Sequence, residues 1–246
     1  VLERWWKLES ILRLGMLVLF SLSSGMLVFL VAGRPVALAL KTDITFVMMV
    51  INFFFMQGLA LVWITRFVRE HAIGWSAAFG FGNRPLRALG LAGIVMLVAL
   101  PVVLLLASFL LPLLQNWFGV RLPSQAPVEF IQQDPPAVQL VIMAFAAVVL
   151  APVAEEALFR GVLYTAIKQR GYPRLALWLT AILFGLIHLN LAVAIPLIVL
   201  ALVFTWLYDA TGNLLAPIAA HALFNGLNFA ALLLDLPGWI EKTMTP

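Results

Sequence analysis

The chain of 246 residues is 64% hydrophobic and 11% charged, with a mean hydropathy of +1.07. A soluble domain carries about twice that charged fraction, so the composition excludes a water-soluble globule. The net charge of +4 comes from arginines and lysines scattered in short clusters beside apolar runs, the distribution of topology signals rather than of a nucleic-acid surface.

Only helices or closed barrels satisfy backbone polar groups in lipid. The apolar runs here are continuous rather than alternating, so the fold class is all-α, a polytopic transmembrane helical bundle. A membrane helix needs about 20 apolar residues. In chain order such runs extend from Leu14 to Ala32, Ile44 to Thr65, Ala88 to Leu114, Ala137 to Ile167, Leu175 to His188, Leu191 to Tyr208, and Leu214 to Leu234. The first is longer than a signal-peptide core and is expected to be retained; the chain opens on Val1 rather than Met, and a few preceding residues are expected. The uncharged run 175–208 is divided at His188-Leu189-Asn190-Leu191, because two short helices suit it better than one of 34 residues. The loop 115–136, with four prolines, reads as an outside loop that re-enters in part. With no long linker and no internal repeat, residues 1–246 are expected to form one membrane domain, with three spans over 14–114 and a site-bearing core over 137–235.

Orientation follows from the basic residues. With the N-terminus in the cytoplasm, the inner segments hold Arg4, Lys7, Arg13, Arg66, Arg69, Arg84, Arg87, Lys168, Arg170 and Arg174, and the outer ones only Arg34, Lys41, Arg121 and Lys242. Ten against four favours that orientation. Trp5, Trp6, Trp63, Trp117, Tyr172, Tyr208 and Trp239 fall near span ends, as interfacial aromatics do. Cysteine is absent, which removes disulfides, thiolate nucleophiles and cysteine-based metal sites.

Few strongly polar groups remain at membrane depth: Glu155, Glu156, Arg160, His188, His221, Asn225 and Asn228, with Asn52 and Gln57 in the second span. Ionisable residues in this position are functional candidates, whereas Asn52, Gln57 and Asn228 read as hydrogen-bond glue between helices. Glu156 and Arg160 are four apart and share a helix face. Glu155 points about 100° away from Glu156, so Arg160 is expected to neutralise Glu156 while Glu155 faces elsewhere. Pro152 loosens the same helix. Phe184 and His188 are four apart, as are His221 and Asn225. Counted from Lys168, Arg174 and Asn213 at about 1.5 Å per residue, Glu155, His188 and His221 all fall within the hydrocarbon layer of about 30 Å.

A carboxylate in apolar surroundings gains basicity and can take a proton from water. A nearby imidazole can hold that water, and a second imidazole with an amide can oppose an oxyanion. The set therefore suits hydrolysis of an amide or ester by activated water. The same Glu155, His188 and His221 could instead ligate Zn²⁺ as a His₂Glu site. The HExxH helix of zinc peptidases is missing, so no cofactor is the preferred reading and zinc its alternative. A proton or ion relay in an ion-coupled transporter would use similar residues, but no inverted-repeat symmetry is visible. A noncatalytic immunity or adaptor protein could use them to hold the bundle together.

These residues also carry a resemblance. EEALFR at 155–160 resembles the EExxxR motif of the CAAX prenyl protease and bacteriocin-processing family, which includes the abortive-infection proteins. FGLIH at 184–188 resembles its FxxxH motif, and HALFN at 221–225 its HxxxN motif. The likeness covers about residues 137 to 235. It implies an intramembrane endopeptidase of mostly eight helices, which makes about seven to eight the expected number here. It further implies Glu155 as general base with Glu156 as its partner, His188 positioning water, His221 and Asn225 at the oxyanion, and Arg160 and Phe184 in structural support. The implied partners are the lipid bilayer and a membrane-associated protein or peptide substrate. The implied location is the bacterial cytoplasmic membrane.

Overall fold

The computed structural model describes residues 6–119 and 126–234. Trp5, Arg121, Trp239 and Lys242 lie outside them. The described residues form helices α1 (Leu8–Leu40), α2 (Ile44–Glu70), α3 (Trp75–Phe79), α4 (Pro85–Phe118), α5 (Ala126–Ile131), α6 (Ala137–Gln169), α7 (Pro173–Leu186), α8 (Leu191–Thr211) and α9 (Leu215–Leu233). Six of these are long and apolar enough to cross a membrane, and α7 is a shorter apolar helix of 14 residues. Every apolar run read from the sequence is centred on a helix; most of the helices outlast their runs, whereas α7 stops two residues before His188 and α9 falls one residue short at each end. The break in the run 175–208 is real: Leu189 takes a left-handed conformation (φ 50°) between α7 and α8. Such a φ is uncommon for a branched aliphatic residue.

The long α4 shows how sequence becomes packing. Its Ala88, Ala92, Met96, Ala99 and Val103 form one buried stripe against α8 and α9. Small side chains at a spacing of about four residues let helix backbones approach closely in a membrane. The rest of α4, including Leu97 and Leu105, faces outward. α6 runs between α2, α7 and α9.

One end of the bundle collects the loops rich in arginine and lysine. Arg13 pairs with Glu70 across α1 and α2, and Lys168 pairs with Asp209 across α6 and α8 at 2.6 Å. The turn after α8 is sewn to the loop before α4, through Leu214 N–H to Phe79 O (2.9 Å) and Asn213 Nδ2 to Asn83 O (2.8 Å). The segment 115–136 differs in part from an outside loop. α4 continues to Phe118, and α5 tucks Phe130 against Met49 and Met143.

Trp6 is not an interfacial aromatic, being only 1% exposed. Its ring packs on Phe67 and His71, with centroids 4.9 Å from each. Its backbone is tied to Gln169 and Arg170 at the end of α6. The indole finds both an apolar pocket and an acceptor inside the bundle, a combination that the interface does not offer.

Candidate active site

The site is built on α6, where the helical ladder twice widens to the five-residue spacing of a π-helix, at Ala146–Leu150 and at Ala157–Tyr164. Such widenings leave carbonyls without their usual donors. The first has its cause in Pro152, whose nitrogen carries no hydrogen. Ala151 N–H bonds back to Ala146 O, so the next carbonyl, that of Ala147, would need the missing Pro152 N–H. Asn225 Nδ2 reaches across from α9 and donates to it at 2.7 Å. In the second widening Thr165 Oγ1 donates to Arg160 O at 2.8 Å, and the Trp6 indole Nε1–H donates to Gly161 O at 3.1 Å. Residue 161 is glycine because α3 lies against it: a Cβ there would stand 2.5 Å from Phe79 Cε1.

Between the two widenings sit Glu155 and Glu156, and Arg160 stands within the second. Glu156 is fully buried, and its Oε1 accepts from Arg160 Nη1 at 2.8 Å. The guanidinium also donates to Ala201 O (3.0 Å) and Thr205 Oγ1 (3.4 Å) on α8. Its carbon lies 4.7 Å from the Phe184 ring centre and 5.4 Å from that of Phe204. This box of one carboxylate, two oxygens and two aromatic faces offsets the cost of burying a cation. It also supplies a reason for Phe184 beyond apolar filling.

His221 links the two glutamates. Its Nδ1 is 2.9 Å from Glu156 Oε1, its Nε2 is 3.9 Å from Glu155 Oε2, and its ring stacks on Phe204. An ionised carboxylate only accepts, so Nδ1 carries the hydrogen and donates to Glu156. Arg160 pairs with Glu156 and not with Glu155, and His221 is the residue that lies near both carboxylates. Helical phase does separate the carboxylates, but one imidazole offers a nitrogen to each.

The rings of His188 and His221 both pack on Phe184, with ring centres 5.2 Å and 5.8 Å away. His188 Nδ1 donates to Phe184 O at 2.7 Å, which leaves Nε2 as an acceptor. His188 makes no ion pair within 4.0 Å with either glutamate, whereas Arg160 and His221 both reach Glu156 and His221 lies 3.9 Å from Glu155. Among the described residues no three histidine, aspartate or glutamate side chains are grouped at metal-holding distances.

The sequence reading passed over Trp6, Thr165, Ala201, Thr205 and Phe204, none of which is charged or falls in a motif. The spacing of Thr165 five residues after Arg160 is the one local signal, and it has meaning only once a π-turn is known. Of the three amides read as interhelical glue, none acts so. Asn52 is exposed, Asn228 donates to Phe224 O of its own helix at 2.7 Å, and the buried Gln57 Oε1 has no hydrogen-bond partner. A spare amide in a membrane helix is satisfied as readily by its own backbone as by a neighbour.

Fold and site together define a polytopic helical membrane protein with a buried carboxylate–arginine–imidazole centre. Residues 137–227, which hold this centre, match the family described as type II CAAX prenyl endopeptidase Rce1-like. Among curated proteins, the "Putative membrane peptidase YdiL" of Bacillus subtilis (strain 168) is 24% identical over 131 residues, 52% of this chain and 51% of that protein. The likeness thus spans about half the length of this relative. No solved structure matches the chain.

Proposed function

We propose that the protein is an intramembrane endopeptidase that hydrolyses a peptide bond in a membrane-associated protein or peptide, with Glu155 activating water. The observation that carries this reading is the placement of His221 between the two glutamates. Arg160 compensates Glu156 directly, which leaves Glu155 as the carboxylate without its own cation. With its Nδ1 hydrogen given to Glu156, neutral His221 turns a lone pair at Nε2 toward Glu155 Oε2, 3.9 Å away. A water between them can meet both atoms at about 2.6–3.2 Å, the range needed for proton transfer.

In the proposed reaction Glu155 takes a proton from that water as its oxygen attacks the scissile carbonyl carbon. The carbonyl oxygen gains the negative charge. Asn225 has spent one amide hydrogen on Ala147 O and has a second to offer the oxyanion. Collapse breaks the C–N bond, and the proton on Glu155 passes to the departing amine. Atoms and protons balance without a covalent enzyme intermediate.

The orientation with basic loops in the cytoplasm belongs to the same proposal and is supported by their collection at one end of the bundle. The test of function is proteomics of C-terminal fragments in cells carrying the wild type or Glu155→Ala. Fragments present only with the wild type support the reading, and identical profiles reject it. Metal analysis of active, chelated enzyme decides the electrophile. Stoichiometric zinc whose removal abolishes activity and whose return restores it would replace the glutamate-base mechanism by a metal one.

A further inference from the structure

Among the described residues Gln57 is a buried polar side chain at membrane depth that the proposed mechanism does not use. It is 6% exposed, it lies in the π-turn Phe54–Gly58 of α2, and its Oε1 has no hydrogen-bond partner. An amide left this way inside a lipid-embedded bundle is costly. Asparagine and glutamine retained at such positions bind something or hold helices together, and the second role is unfilled here.

Its position says what it binds. Phe53 of α2 and Phe229 of α9 both pack on the layer made by Met49, Phe130 and Met143 of α2, α5 and α6. One helical turn, four residues, from that layer toward the charged centre leads to Gln57 on α2, Ala147 on α6 and Asn225 on α9. The last two are joined by the 2.7 Å hydrogen bond from Asn225 to the Ala147 carbonyl, so these three positions form one level. The turn bearing Gln57 packs against Ala151–Glu156, the stretch that ends in both glutamates. Two amides, Gln57 and Asn225, therefore border the approach to Glu155 beneath an aromatic layer.

We propose that Gln57 binds the backbone of the peptide substrate, a reading that rests on the proposed hydrolytic function. A carboxamide offers an acceptor and two donors, which pair with the N–H and C=O of an extended peptide as a strand neighbour would. The substrate thereby replaces the hydrogen bonds that it loses on leaving water. Recognition of backbone rather than side chain makes this contact tolerant of substrate sequence, and it places the peptide between α2 and α9 beside the reacting centre.

The test uses Gln57→Leu, of similar volume and without the amide, in the full chain reconstituted into vesicles. Its substrate is the peptide whose fragment disappears in Glu155→Ala cells. The proposal predicts kcat/KM lower by about 10–100-fold, the loss of one or two substrate hydrogen bonds, mainly through KM, with Tm unchanged or raised because a buried unpaired amide has been removed. An unchanged kcat/KM overturns the proposal, whatever happens to Tm. If Tm falls, kcat/KM per folded enzyme well below the variant's Tm decides by the same criterion. Gln57→Asn, whose shorter arm keeps the amide, should recover part of the lost affinity, and recovery equal to that of leucine counts against binding by the amide. Glu155→Gln run in parallel separates the two failures. If it cleaves like the wild type, the hydrolytic reading falls; if it is inactive while Gln57→Leu is fully active, only the role of Gln57 falls.

Discussion

α4 and α6 are nearly equal in length, at 34 and 33 residues, and both carry proline within the membrane. They solve the same backbone problem differently. α4 carries Pro101 and Pro112 in one helix assigned α throughout, and it buries little beyond a stripe of small residues. α6 opens into two π-turns, and side chains from the segment before α1, from α9 and from α6 itself come to satisfy the freed carbonyls. The difference teaches that proline alone does not make a site. A site arises where a widened ladder is stabilised from outside and where charged residues occupy the interval between the widenings. α4 is the scaffold by this criterion, and α6 is the working element.

Breaking the charged interval of α6 should have the largest effect on the fold. Glu156→Gln removes the carboxylate that Arg160 and His221 share. Loss of one partner of a buried ion pair costs about 3–5 kcal/mol, so a marked fall in Tm is expected together with loss of cleavage. The double variant Glu156→Leu/Arg160→Met should regain much of that stability and none of the activity, read by thermal unfolding and fragment assay.

Next comes the clasp on the first widening. Asn225→Leu leaves the Ala147 carbonyl without its donor, at a cost of about 1–3 kcal/mol. If the second amide hydrogen also serves the oxyanion, the rate should fall by about 10²–10³. A stability loss with an intact rate would confine Asn225 to the backbone role. Trp6→Phe keeps the ring but removes the donor to Gly161 O. It should lower stability by about 1–3 kcal/mol and speed amide hydrogen exchange in the segment 157–165. Smallest of all should be Leu97→Ala on the outward face of α4, within about 0.5 kcal/mol. An effect there as large as at Trp6 would erase the contrast between the two helices.

Much of this was legible in the sequence, for reasons that differ by region. The apolar runs reveal the helices because lipid permits little else, and the break at His188–Leu191 shows as a polar pair in an uncharged stretch. Glu156 with Arg160 could be paired by spacing alone. What spacing could not give was the π-register. It frees carbonyls whose partners the sequence does not mark: Trp6 carries no signature, and the spacing of Thr165 has meaning only once the π-turn is known. Gln57 and Asn228 looked alike as membrane amides, yet one is satisfied by its own helix and the other is left unpaired. Only the packing of α2 on α6 distinguishes them.

The account turns on Glu155 as the group that reacts while its neighbour holds the fold. The most direct measurement is single-turnover cleavage of the identified membrane peptide by the wild type and by Glu155→Gln, purified side by side with Tm recorded for both. The account predicts an unchanged Tm and a rate lower by about 10²–10⁴, the usual contribution of a positioned acid–base group. Equal rates, or a loss of activity that merely follows a loss of folding, would contradict it.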